Sequence, residues 1–202
     1  MTSPALDIGI AHIARPGELQ SGDRCVVKTS AQRTLIGVID GVGHGREAAV
    51  AADAAAEVLE TFAGESVSPL LRRCHERLRT TRGAAITLLV LDAEANAAEW
   101  VGAGNVAVVL LQTEASGKKH CRELLIRGGI AGALLPSTDA LSLAVHGGDT
   151  IVVATDGLHR TFVNGVASEE PPQRLAEQLL AQYGTTQDDA LVVVARLAES
   201  DA

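Results

Sequence analysis

Hydrophobic and polar positions along the chain follow two rhythms, one of period two and one helical, and the switches between them predict its elements. Leu6 to Ile13 reads as a strand, ended by Arg15-Pro16-Gly17. Cys25 to Thr29 and Thr34 to Asp40 read as two more, joined by the polar turn Ser30-Ala31-Gln32-Arg33. The second holds the nearly unbroken apolar run Leu35-Ile36-Gly37-Val38-Ile39, the pattern of a strand covered on both faces. Past Asp40, the loop Gly41-Val42-Gly43-His44-Gly45 opens into Ala-rich, acid-interrupted sequence from Glu47 to Phe62, which is strong helix-forming material. Ser66 or Ser68 then offers an N-cap for a second helix that runs to Arg79.

Beyond Arg82-Gly83 the rhythm becomes that of strands. Ala85 to Leu91, Ala98 to Ala103, Val106 to Leu111, Arg122 to Arg127, Ser142 to Val145 and Thr150 to Ala154 all fit, separated by turns such as Ala115-Ser116-Gly117 and Leu135-Pro136-Ser137. A helix from Pro171 to Tyr183, stopped by Gly184, and a strand from Ala190 to Arg196 follow. This order lacks the strand-helix alternation of a parallel doubly wound sheet. It predicts an α+β fold of two mostly antiparallel sheets stacked face to face with helices outside. No linker or internal repeat interrupts it, so residues 1–202 are expected to form one domain.

Composition sharpens that picture. The chain is 47% hydrophobic, with a mean hydropathy of +0.18, enough for a sizeable core without disulfides. With only 2% aromatics, that core must be Ala, Val and Leu, which suits close helix–sheet contact. No apolar run approaches the roughly 20 residues that span a bilayer, so no membrane partner is expected. Met1 to Ile13 lacks the basic flank and long apolar stretch of a signal peptide. Cys25, Cys74 and Cys121 are widely spaced, with no CxxC, which predicts reduced thiols in a cytoplasmic protein and no zinc site. A net charge of -8 argues against nucleic acid as a partner, because a phosphate backbone demands a basic patch.

The chemistry-bearing pattern is a set of aspartates at strand ends. Asp23 lies in Ser21-Gly22-Asp23, Asp40 and Asp156 each close a strand that reads as buried and precede a glycine, and Asp188-Asp189 opens the last strand. A glycine there lets backbone approach whatever the carboxylate binds and frees its carbonyl as another oxygen ligand. Such oxygen sets hold hard cations, Mg²⁺ or Mn²⁺, with water completing an octahedron. Two of them about 3.5–4 Å apart can activate water for in-line attack on phosphorus. Taken singly, each Asp-Gly reads as a turn. Asp139 and Asp149 are read that way, Asp149 in the turn Gly147-Gly148-Asp149-Thr150. The Gly41-x-Gly43-x-Gly45 loop also suggests dinucleotide binding. Its spacing is wrong for that, and Asp40 would repel a pyrophosphate.

Asp40-Gly41-Val42-Gly43-His44-Gly45, Thr155-Asp156-Gly157-Leu158 and Asp188-Asp189-Ala190-Leu191-Val192-Val193, in that order, resemble the metal motifs of PP2C-type (PPM) serine/threonine phosphatases. The Gly-x-Gly-x-Gly form and Ser21-Gly22-Asp23 are similar to the bacterial SpoIIE branch. Arg73-Cys74, Thr81-Arg82-Gly83-Ala84, Gly102-Ala103-Gly104-Asn105-Val106 and Thr185-Thr186-Gln187-Asp188-Asp189 resemble the stressosome phosphatases within it. The resemblance runs from about Ser21 to Leu197.

It implies a four-layer α-β-β-α sandwich with two Mn²⁺ or Mg²⁺ at one edge of the sheets. Asp40 would bridge both ions and the Gly41 carbonyl would bind one. Asp156 and Asp188 would complete the second site, and Asp23 would take part directly or through waters. Asp189 belongs to the same metal set, but stands where many relatives have Asn, which places it behind the ligands. An Asp-Ser-Gly motif that holds a third ion in some relatives is replaced here by Thr81-Arg82-Gly83-Ala84-Ala85, so a third ion is not expected. The short stretch from Asp156 to Asp188 leaves little room for a flap subdomain. His44 is open to two readings, a general acid to the leaving serine or threonine oxygen, or a helix-start residue with a local hydrogen bond. The implied substrates are phosphorylated STAS-domain proteins of a stressosome, met by a monomer that resets a bacterial stress signal. The competing reading is a phosphatase fold that has lost turnover and serves as a binding module in the same pathway.

Overall fold

The computed structural model describes residues 6–198 apart from 31, 32, 93, 115–117, 126, 136 and 168. The expected turns at Ser30-Ala31-Gln32-Arg33, Ala115-Ser116-Gly117 and Leu135-Pro136-Ser137 lie wholly or partly outside the described residues. The strands are β1 (Leu6–Ile13), β2 (Asp23–Ser30), β3 (Arg33–Gly41), β4 (Ala84–Asp92), β5 (Ala97–Ala103), β6 (Ala107–Thr113), β7 (Lys119–Leu124), β8 (Leu141–Ala144), β9 (Thr150–Ala154) and β10 (Ala190–Leu197). The helices are α1 (Gly45–Thr61), α2 (Val67–Leu78) and α3 (Pro172–Tyr183). One sheet has the order β2-β3-β4-β5-β8 and the other β1-β10-β9-β6-β7. All of these neighbouring pairs are antiparallel, which removes the βαβ unit a dinucleotide loop needs.

The period-two alternation of side chains sorts the strands into layers. On β3, Leu35 and Ile39 join Ala51, Ala55 and Leu59 of α1 and Leu70, Leu71 and Cys74 of α2. Ile36 and Val38 face the other way, into a layer shared with Val108, Leu110, Ile151, Val153, Leu191 and Val193. Val152, Ala154, Val192 and Val194 point outward from the second sheet, onto Phe162, Leu175 and Leu179. Three apolar layers between four layers of secondary structure make the α-β-β-α sandwich. The alanines of α1 bring its backbone close to β3, so that a β-carbon on Gly41 would lie 2.2 Å from the Ala48 carbonyl oxygen.

The structure corrects the expected elements in a few places. The strand expected at Arg122 to Arg127 is β7, shifted three residues earlier at its start. As a sheet edge its residues His120 to Glu123 are exposed, so there is no burial alternation to read, while the apolar Leu124-Leu125 misleads. Leu125 is in fact 70% exposed. A 3-10 helix, Arg160–Gly165, is too short to show a period and was not expected from the sequence; Phe162 anchors it in the core. Gly184 does cap α3, but in an extended rather than left-handed conformation, bridging to Leu158. α2 begins after Ser66, while the Ser68 hydroxyl donates to the Thr138 carbonyl. Between β9 and β10 the described residues build this 3-10 helix and α3 and no further subdomain.

α3 covers the middle of β1, at Gly9 and Ile10. A β-carbon on Gly9 would strike the backbone of Pro172 and Gln173. The Gln173 side chain brackets Ile10, its Oε1 accepting from the Ile10 amide and its Nε2 donating to the Ile10 carbonyl, both at 3.0 Å. No described helix is long and apolar enough to cross a membrane.

Candidate metal centre

The inter-sheet layer ends in acids. On β3 the inward parity Ile36, Val38 continues to Asp40, and on β2 Val27 and Cys25 lead to Asp23. The strand register sets Asp23 directly opposite Asp40, a cross-strand pair of like charges. From the second sheet, Ile151 and Val153 lead to Thr155 just beyond β9, and Leu191 leads back to Asp189 just before β10. Where apolar side chains would close the sandwich, the sequence supplies carboxylates from both sheets.

Asp40, Asp156 and Asp188 line one cleft of about 440 Å³, with Val42, Gly43, Gly104, Asn105 and Ile130 among its other walls. Asp156 is exposed, Asp40 and Asp188 are half-buried, and Asp23 and Asp189 are buried. Burial first, then the charges of Asp23, Asp156, Asp188 and Asp189, push the Asp40 carboxyl up to about 8. Asp23 is pushed up to about 7, mainly by burial, with further raising by Asp189, Asp156 and Asp188 and partial relief from the Thr155 hydroxyl. Asp156 is raised by burial and by Asp188, against a hydrogen bond from Asn105.

The supporting bonds separate residues facing the cleft from those behind it. The Thr155 hydroxyl donates to Asp23 Oδ2 at 2.8 Å and accepts from the Leu191 amide at 2.9 Å. Asp189 accepts from the Arg15 amide at 2.8 Å and the Gly22 amide at 2.7 Å, one bond on each oxygen. It therefore straps the loop before β2 to the start of β10. Asn105 Nδ2 donates to Asp156 Oδ2 at 2.6 Å and orients that carboxylate. Neither Thr155 nor Asn105 stood out as a site residue in the sequence, although both lie inside the quoted motifs.

The glycines after Asp40 and Asp156 also make room for the fold itself. Besides the Gly41 clash with α1, a β-carbon on Gly157 would lie 1.9 Å from the Asp189 carbonyl oxygen. Both glycines admit protein backbone, and through it they set the spacing of the acids. His44 is the N-cap residue of α1, exposed, with its Nδ1 2.7 Å from Glu18 Oε1; it does not line the cleft.

Among the described residues, no three His, Cys, Asp or Glu side chains stand close enough to grip one ion by themselves. A gathering of mutually repelling, half-exposed carboxylates suits hydrated Mg²⁺ or Mn²⁺, which keep several waters and take one or two carboxylates each. It does not suit the closed sulfur–nitrogen set of a structural zinc site.

Comparison with known proteins agrees with this architecture. The SpoIIE family, described as Stage II sporulation protein E, matches residues 30–198. Phosphoserine phosphatase RsbX of Bacillus subtilis is 24% identical over 92% of this chain and 91% of its own. A structure from work on the bacterial stressosome, as a modular system adapted to control secondary messenger signalling, is 30% identical. It covers 95% of this chain and 100% of its own, with a TM-score of 0.83. RsbX in complex with magnesium shares the fold at a TM-score of 0.84 and 20% identity, over 96% of each chain. With two antiparallel sheets between helices and acids at their shared mouth, this chain belongs to the SpoIIE family and is a PP2C-type domain.

Proposed function

We propose that the chain is a Mn²⁺- or Mg²⁺-dependent phosphoserine/phosphothreonine protein phosphatase. Its substrates on this reading are phosphorylated STAS-domain proteins of a stressosome, and it works as a cytoplasmic monomer that resets a bacterial stress signal. One observation carries the chemistry: Asp40, Asp156 and Asp188, brought from both sheets, line one cleft with Asp23 and Asp189 behind them, a gathering of like charges that cations would complete. RsbX, with its phosphoserine phosphatase activity and its magnesium complex, and the stressosome relative support the substrate class and the ion.

Asp40 would hold both ions, the Gly41 carbonyl would hold one of them, and Asp156 and Asp188 would complete the second site. Such ions supply neutralisation of phosphoryl oxygens and a water acidic enough to attack at neutral pH. Asn105 keeps Asp156 turned to the cleft. Asp23, backed by Thr155, would take part through an ion directly or through its waters. Asp189 keeps the Arg15 to Gly22 loop in place. His44, exposed, paired with Glu18 and outside the cleft lining, keeps both readings, an acid for the leaving oxygen or a helix-start residue with a local hydrogen bond; an unchanged rate and pH profile in His44→Ala ends the first.

Incubating the protein with phosphorylated STAS proteins and Mn²⁺, and following phosphate loss site by site, tests the function. Metal-dependent release that disappears in Asp40→Ala is the expected result. No hydrolysis of these proteins or of an aryl phosphate, with partner binding untouched by Asp40→Ala, would instead identify a binding module.

A further inference from the structure

Every charged side chain lining the acidic cleft among the described residues is an aspartate. Five carboxylates converge at this mouth, and two divalent ions would supply four positive charges. A phosphate monoester brings roughly −1.5 to −2 more. A protein cation beside the cleft would favour its binding, and Arg82 stands against one of the cleft-lining residues.

Arg82 lies in the turn between α2 and β4, and that turn is pinned to the cleft. The Val42 amide donates to the Gly83 carbonyl at 3.0 Å, joining the turn to a cleft-lining residue. The Thr81 hydroxyl donates to the Leu78 carbonyl at 2.8 Å and accepts from the Gly83 amide at 3.0 Å. At the cleft wall, Gly43 has φ +89 and no side chain; a β-carbon there would stand 2.9 Å from Arg82 Nη1. The guanidinium thus lies against the glycine that lines the acids. On its other side Arg82 borders a cavity of about 450 Å³, with Arg46, Val50, Thr80 and Thr81, which leaves it room to turn.

Its present partner is Glu47, in an ion pair whose side chains are 51% and 66% exposed. An exposed pair of this kind is weakly held. A phosphate offers the planar guanidinium two parallel charge-assisted hydrogen bonds, a stronger match.

We propose that Arg82 is a phosphate-binding residue of the cleft, exchanging Glu47 for the phosphoryl oxygens of an entering ester or of free phosphate. The proposal rests on the phosphatase reading, since it names the side chain that grips that reading's substrate.

Calorimetric binding of inorganic phosphate to the full chain in saturating Mn²⁺ tests it without turnover. Arg82→Ala is expected to weaken phosphate roughly tenfold or more, as for a lost hydrogen bond to a charged group, with Mn²⁺ affinity unchanged. Arg82→Lys, which keeps the charge but not the fork, should fall between. Glu47→Gln is expected to tighten phosphate, and that gain should vanish in the Arg82→Ala background. Phosphate binding that is absent from the wild type, or equal in Arg82→Ala, overturns the proposal. So does a Glu47→Gln gain that survives without Arg82. Aryl phosphate hydrolysis on the same samples separates the two claims. Arg82-dependent phosphate binding without Mn²⁺-dependent turnover would remove the phosphatase and leave the anion site. Turnover with phosphate binding indifferent to Arg82 would do the reverse.

Discussion

The two sides of the acidic mouth carry the same side chain in opposite settings. Asp23 and Asp40 come from paired strands, directly opposite one another, and their carboxyls are pushed up to about 7 and about 8. Asp156 and Asp188 come from loops at the ends of β9 and β10, and stand in or near solvent. The first pair is imposed on the fold by strand register and carries a cost in its absence of counter-charge. The second pair sits at loops nearer solvent, with Asp156 raised by burial and by Asp188 and eased by Asn105. A centre built this way has one buried, mutually repelling half and one more open half, so its acids should fail in different ways when changed.

Asp40→Ala should give the largest effect. Hydrolysis of an aryl phosphate with Mn²⁺ is expected to fall roughly 10³-fold, while thermal melting without metal stays level or rises because a repelling carboxylate has gone. Lower melting without metal would show that the buried half stabilises the fold. Asp156→Asn and Asp188→Asn should weaken Mn²⁺ by at least the roughly 10–100-fold that changes around a metal cost, with metal-free melting unmoved. Asn105→Ala belongs at the lower end, about tenfold, because it only releases Asp156.

The pH dependence follows from the raised carboxyls. Between about pH 4 and pH 8 the folded chain holds protons on Asp23 and Asp40 that the unfolded chain has released. Metal-free stability is therefore highest near the lower end of that range and declines as pH rises through it. Melting without metal should accordingly fall from pH 5 to pH 8.5, and added Mn²⁺ should raise it more at pH 8.5 than at pH 5. A smaller effect is expected from Thr155→Val, which takes the hydroxyl from Asp23 and should lower stability by about 1–3 kcal/mol in chemical denaturation.

What could be read from sequence was local. The buried run before Asp40, the order of strands and helices and the parity of apolar positions all follow from nearest neighbours along the chain. They led to the layers and to three of the aspartates at one mouth. The pairing of Asp23 with Asp40 depends on β2–β3 register, and the Thr155–Asp23 bond joins residues 132 positions apart. Asn105 reads as an ordinary turn residue until the chain between it and Asp156 has folded back. The glycines were legible only in part: their lack of side chain is visible in sequence, but what crowds them, Ala48 and Asp189 backbone, is not. The bounds of β7 were misplaced because an exposed edge has no inside to write in its pattern.

The amide of Gln173, clasped to both backbone groups of Ile10, has a consequence of another kind. An open strand edge is a template on which another chain can polymerise, and exposed edges are where β-rich proteins begin to aggregate. Here a side chain imitates the missing neighbour at Ile10, and α3 covers Gly9 beside it. Addition of a foreign strand is thereby blocked at Gly9 and Ile10 by the start of α3, and replacing Gln173 would reopen that row to self-association.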